Sequence, residues 1–232
     1  MKILLIWTVT CLIWGSVWLF IKLGLQDLPP ISFAGLRLLI AVIILLPVIA
    51  VRKISLPHKF NDYLLIAVTG LLLLGLNYGL VFWGAQYISS GLTAVLQAAT
   101  PAFGLIFTSC FFPQERLTFK KVFALIIGVS GVAIIFSDQL QLTGELTVLG
   151  CAAVVGGAFC VALSYVLVKT YGAHLHTIIL ITGQMLCGMF PLLIFGFFKE
   201  GSPADFRWTS TAIFSLLYLA LAGSIAAFGL NY

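Results

Sequence analysis

Most of the charge in this chain lies in short breaks between long apolar runs or at the ends of those runs, which fall at about 3–22, 30–51, 63–87, 89–112, 120–137, 146–170, 176–198 and 210–232. A backbone inside a lipid bilayer must satisfy its own hydrogen bonds, and about 20 apolar residues wound into a helix cross the ~30 Å of hydrocarbon. The runs therefore predict eight transmembrane helices and an all-α membrane protein. A barrel would instead alternate apolar and polar residues over ten-residue segments. Composition agrees, because 62% apolar against 8% charged residues leaves too little polar surface for water to cover. The first run is too long for a signal peptide, carries Trp14 and Trp18 and lacks a small-residue cleavage site, so it reads as a retained first helix.

Lys and Arg set the expected orientation. With the N-terminus inside, the cytoplasmic side holds Lys2, Arg52, Lys53, Lys59, Arg116, Lys120, Lys121 and Lys169, and the outer side only Lys22, Lys199 and Arg207. The net charge of +5 is thus assigned to topology and to anionic lipid rather than to nucleic acid. The five cysteines all lie in apolar runs without a C-x-x-C pair and read as packing residues. No acidic residue falls deep in a run, so a buried carboxylate proton relay is not expected. His58, His174 and His176 sit in loops or at their edges, and His174-x-His176 is too sparse for a metal site. No nucleophile with a base is expected at membrane depth, which argues against an enzyme and against a metal or other cofactor.

Residues 14–22 (WGSVWLFIK) align with 161–169 (VALSYVLVK) at an offset of 147, matching Lys22 to Lys169 and Trp18 to Tyr165. The same offset puts Arg37 opposite Gln184, and one residue of drift puts Gly75 opposite Gly223. The shared offset implies duplication, with a five-helix first unit over 1–137 and a second unit over 146–232 that holds three of the five. Five is odd, so the second unit enters from the opposite face, as in inverted-repeat transporters. On this reading the fold is an incomplete ten-helix bundle of 5+5 design. A further stretch as long as Tyr87–Phe136 would then be expected beyond Tyr232.

WGSVW at 14–18, FAGLRLLIA at 33–41, LTAVLQAATPAF at 92–103, the Glu115-Arg116-Leu117 turn, GVSGVAII at 128–135 and LAGSIAAFGLNY at 221–232 follow in an order and spacing that resemble the EamA family of the drug/metabolite transporter superfamily. The resemblance implies ten helices in two units and a central solute cavity worked by alternating access. It also implies export of amino acids or related metabolites and a place in the bacterial inner membrane. The expected partners are a small solute, the bilayer and, in one possibility, a second copy of the chain. The alternative is a non-transporting membrane subunit or an inactive transporter fragment.

Polar residues at membrane depth mark the candidate path, since lipid offers them no partner. In helix 4, Thr93, Gln97, Thr100 and Thr108 share one face with Gly104. Gln97 leads because its amide both donates and accepts; otherwise the hydroxyls bond back to their own helix and Gly104 admits a close neighbour. Helix 1 puts Thr8, Cys11, Gly15, Trp18 and Lys22 on one face. Trp18 is either a substrate contact or an anchor, and Lys22 either a gate or a solvated helix end. Arg37, about two turns into helix 2, is expected to snorkel or pair near the outer mouth rather than to bind substrate. Asn77, Tyr78, Ser164, Tyr165, Gln184, Ser224 and Asn231 complete the inventory. Gly75 with Gly79, and Gly128 with Gly131, read as close-packing devices.

Overall fold

A computed structural model describes residues 2–112, 118–135 and 144–226. The secondary structure of the described residues is all helix, and each apolar run coincides with helix over most of its described length. The elements are α1 (Lys2–Gly24), α2 (Pro30–Val51), α3 (Phe60–Gly70), a π-helical segment π1 (Leu71–Leu76), α4 (Asn77–Gly84), α5 (Ser90–Gln97) and α6 (Thr100–Phe111). They continue with α7 (Phe119–Ile135), α8 (Glu145–Tyr171), α9 (Thr177–Glu200), α10 (Ser210–Ala220) and a second π segment, π2 (Leu221–Ala226). Five stretches are long and apolar enough to cross a membrane: Pro30–Val51, Phe60–Gly84, Ser90–Phe111, Glu145–Tyr171 and Thr177–Glu200. Thr10–Gly24 and Ser210–Ile225 are shorter apolar helices.

Side-chain oxygens open several helices. Ser89 accepts from the Leu92 amide and Thr209 from the Ala212 amide, which satisfies donors that have no partner within the helix. The fourth run does not form the single helix expected over 89–112. Pro101 has no N–H to give to the carbonyl of Gln97 and its ring crowds that carbonyl, so the run divides at Ala98–Ala99 into α5 and α6.

The core is built on α2 and α9, which pack more extensively than any other pair. Phe33, Ala34, Leu38 and Ala41 of α2 meet Met185, Met189 and Leu192 of α9 in one buried cluster. Phe190, Ile194, Phe197 and Phe198 are exposed on α9, an apolar exterior that suits lipid and not water. Gly75 and Gly79 do pack closely, against Gly188 and Leu192. Gly128 and Gly131, read from the sequence as a packing pair, have no atom within 4 Å of where a Cβ would sit, because the described residues of α7 bring no neighbour to that face.

The spacing of the helices can be set against the offset expected of a repeat. Gly24 and Tyr171, which end α1 and α8, lie 147 residues apart, as do Pro30 and Thr177, which begin α2 and α9. Phe60 and Ser210, which begin α3 and α10, lie 150 apart, and so do Leu71 and Leu221, which begin the two π segments. The drift is therefore three residues rather than one. It arises because α9 has 24 residues against 22 in α2, and because the connection that follows α9 is one residue longer. In this register Gly75 stands opposite Ile225, not Gly223.

Polar ties join the ends of the elements. Glu200 accepts from the amides of Ile31 and Ser32 at 2.9 and 2.7 Å, closing the start of α2. Asp27 accepts from Thr209 Oγ1 at 2.6 Å and pairs with Arg207 at 3.4 Å. Lys22 is not the solvated helix end that the sequence favours. Half-buried, its ammonium donates to the carbonyls of Ala85, Gln86 and Ile88 at 2.8, 3.3 and 2.8 Å, clamping α1 to the turn after α4. Asp62, at the start of α3, binds His174 Nε2 at 2.9 Å.

Candidate solute cavity

Breaks in two helices converge on one cavity of about 220 Å³. The α5–α6 break presents Gln97 and Thr100. The π1–α4 junction presents Asn77 and Tyr78, because the extra residue in a π turn shifts the side chains that follow it around the helix. Trp14, Val17, Trp18 and Ile21 of α1, Arg37 of α2, and Val161 and Tyr165 of α8 complete much of the wall. Irregular backbone at membrane depth is tolerated where it lines such a space, and discontinuous helices at mid-membrane commonly frame a binding site.

Gln97 is the polar hub. Its Nε2 donates to Asn77 Oδ1 at 3.4 Å and to the Val154 carbonyl at 3.2 Å, and its Oε1 accepts from Thr100 Oγ1 at 3.5 Å. Asn77 is steadied in turn by donating from Nδ2 to the Leu73 carbonyl at 3.2 Å. A Cβ at position 157 of α8 would lie 2.7 Å from Asn77 Oδ1, so any larger residue there would have to displace the amide. The hub thus ties α4, α5, α6 and α8 together at the cavity wall.

Arg37 departs most from expectation. It does not snorkel: it is 1% exposed and lies inside the bundle. Its Nε donates to Ser224 Oγ and its Nη2 to the Gly223 carbonyl, both at 2.9 Å, and its Cζ lies 4.7 Å from the centre of the Tyr78 ring. Among the described residues no carboxylate lies within ion-pair reach of it. On insertion scales an arginine at the middle of a membrane helix costs roughly 2.5–3.5 kcal/mol. The cation–π contact and two neutral acceptors offset part of this. A Cβ at Gly223 would lie 3.0 Å from Arg37 Nη2, so π2 approaches the guanidinium closely there.

Not every sequence candidate reaches the cavity. Trp18, Asn77, Tyr78, Gln97, Thr100, Tyr165 and Arg37 line it. Thr93 is buried and its hydroxyl donates back to the Ser89 carbonyl at 2.9 Å. Ser164 donates to the Thr69 carbonyl at 3.0 Å and Gln184 to Thr69 Oγ1 at 2.9 Å, a separate buried knot. Ser224 stands one bond behind the wall, holding Arg37. On α1 the lining face is Trp14, Val17, Trp18 and Ile21, whereas Thr8, Cys11 and Gly15 are exposed. Trp14 is not among the sequence candidates, yet it precedes Trp18 by one helical turn, the spacing that puts both on the lining face. Asn231 lies outside the described residues.

A second cavity of about 340 Å³ runs along α6 and α8, lined by Thr100, Gly104, Thr108, Tyr165 and Lys169 among others. Gly104 has open space beside it rather than a close-packed helix. Thr100 and Tyr165 line both cavities and so stand between them.

A family model described as "EamA-like transporter family" matches residues 1–137. Over 220 residues the chain is 33% identical to an uncharacterized transporter, YoaV, of Bacillus subtilis, an alignment covering 90% of this chain and 71% of that protein. A second Bacillus subtilis uncharacterized transporter, YvbV, is 33% identical over 90% of this chain and 67% of its own length. A solved crystal structure shares the fold at 17% identity, with a TM-score of 0.74 over 98% of this chain and 77% of that one. With the family model matching more than half its length, the chain belongs to the EamA-like transporter family.

Proposed function

We propose that this membrane transporter moves small metabolites, amino acids or related compounds, out of the cell by alternating access around the cavity that Gln97 and Arg37 line. The observation that carries the reading is the convergence of two helix discontinuities, at Gln97–Thr100 and at π1–Asn77, on one cavity with polar groups inside an apolar wall. All eight apolar helices are taken to cross the bilayer, in two units of opposite orientation over 1–137 and from 146 onward. The matched helix spacings and the paired π segments support that arrangement. Thr100 and Tyr165, shared by the two cavities, would form the partition that opens toward the Lys169 end.

The test is release from proteoliposomes. Purified protein is reconstituted into vesicles loaded with a mixture of labelled amino acids, and the retained content is followed against protein-free vesicles. Release of a subset of the amino acids, slowed about tenfold by Gln97→Leu, is the expected outcome. Retention of every amino acid by vesicles shown to hold folded protein would refute the amino-acid assignment.

A further inference from the structure

Resting on the cavity reading above, we propose that Arg37 makes this an anion site. It binds the carboxylate of a small solute whose apolar body packs against Trp14, Trp18, Tyr78 and Phe82. The supporting observations are independent of one another. Arg37 lines the cavity and is almost wholly buried, so its charge cannot be relieved by water. Its protein partners are a hydroxyl, a carbonyl and a ring face, none of which carries a countercharge. Among the described residues no acidic side chain lines the cavity. A guanidinium has five N–H groups in a planar fork, and the two bonds to Ser224 and Gly223 leave donors for a further acceptor. A carboxylate fits that fork geometrically and forms charge-assisted bonds that strengthen where water is excluded.

Size and charge narrow the class. A volume of about 220 Å³ lies below the usual 300–1,000 Å³ of small-molecule pockets, so the occupant is a compact metabolite and not a bulky drug. Among the described residues Arg37 is the only charged one of either sign lining the cavity, so a monoanion balances the site, whereas a phosphate dianion would leave a surplus negative charge in low dielectric. A positively charged solute would face the guanidinium with no carboxylate to hold it. The aromatic walls suit a flat or branched apolar body.

The test uses phenylacetate, its uncharged isostere phenylacetamide, and phenethylamine as a cation of similar shape. Binding to the purified full chain is read by quenching of tryptophan fluorescence, since Trp14 and Trp18 line the cavity. Phenylacetate is expected to bind about tenfold more tightly than phenylacetamide, the effect of one charge-assisted interaction, and phenethylamine least. In Arg37→Gln that preference should fall to parity while phenylacetamide binding persists, a pattern that a purely structural arginine would not produce. Arg37→Lys keeps the charge but not the fork and should retain a reduced preference, which covers the case of a glutamine variant that does not fold. Equal binding of acid and amide by the unmodified chain would overturn the anion site while leaving transport itself to the vesicle assay. So would tighter binding of phenethylamine, or an unchanged preference in Arg37→Gln.

Discussion

Gln97 and Asn77 illustrate how much a single polar residue in a membrane helix reveals. Lipid cannot satisfy an amide, so depth alone marks these side chains as facing protein or a cavity. What depth cannot say is whether a polar group finds its partner in its own helix. Thr93 does, through the Ser89 carbonyl, and Ser164 is taken up by Thr69, so two of the hydroxyls that looked equivalent in sequence are structural. Of the two expectations for Arg37 the structure shows pairing and not snorkelling: its distance from the helix end permits snorkelling, and the approach of π2 from a distant part of the chain gives it partners inside the bundle instead. Gly157 gives a test at this scale. A methyl group there would meet Asn77 Oδ1 at 2.7 Å, so Gly157→Ala must displace the amide or the helix. Overpacking of this kind costs roughly 1–3 kcal/mol. A lower midpoint of thermal unfolding in detergent, together with a loss of release equal to or greater than that of Gln97→Leu, is expected. Wild-type values for both would show that Asn77 needs no such room.

The apolar runs made the helices plain in sequence, but not their interruptions. Hydropathy is blind to a π turn, since LLLLGL and LAGSIA are as apolar as the helix around them. The α5–α6 break did have a signal, Pro101 four residues after Gln97, which a reading of polar spacing alone passes over. That break frees the Gln97 carbonyl and swings α6 so that Thr100 serves both cavities. Pro101→Ala would restore the missing N–H and allow a continuous helix over Ser90–Phe111. Because proline is tolerated in the first turn of α6, thermal stability should stay level or rise, while release from vesicles falls about tenfold or more as Gln97 rotates away from Asn77. Full transport with a straightened helix, seen by the hydrogen-exchange protection of residues 98–101, would mean that the break is incidental.

The molecule as a whole is held by ties of different character at the two ends of its helices. Lys22 with the Ala85–Ile88 turn, Glu200 with the start of α2, and Asp27 with Thr209 all lie where α1, α4 and α9 end and α2 and α10 begin. The second cavity, by contrast, leads along α6 toward Lys169, at the end of α8. The Lys169 end carries a tie of its own, Asp62 to His174. An exporter at rest should nonetheless admit solute from the cytoplasm, so the end that holds Lys22, Glu200 and Asp27 should face outward and the Lys169 end, to which the second cavity leads, inward. The excess of Lys and Arg at 52, 53, 59, 120, 121 and 169 supports the same proposed orientation, with that end in the cytoplasm. The proposed orientation is directly measurable, because Lys53, Lys121, Lys169 and Lys199 are all exposed. Each is replaced by cysteine in a chain whose five native cysteines have been removed, and intact cells are treated with a membrane-impermeant maleimide. Lys199→Cys should label at once, whereas Lys53→Cys, Lys121→Cys and Lys169→Cys should label only after the membrane is permeabilised. Labelling at 169 but not at 199 in intact cells would reverse the molecule in the membrane. The cavity leading to Lys169 would then open outward, and the same geometry would describe an importer loading from outside.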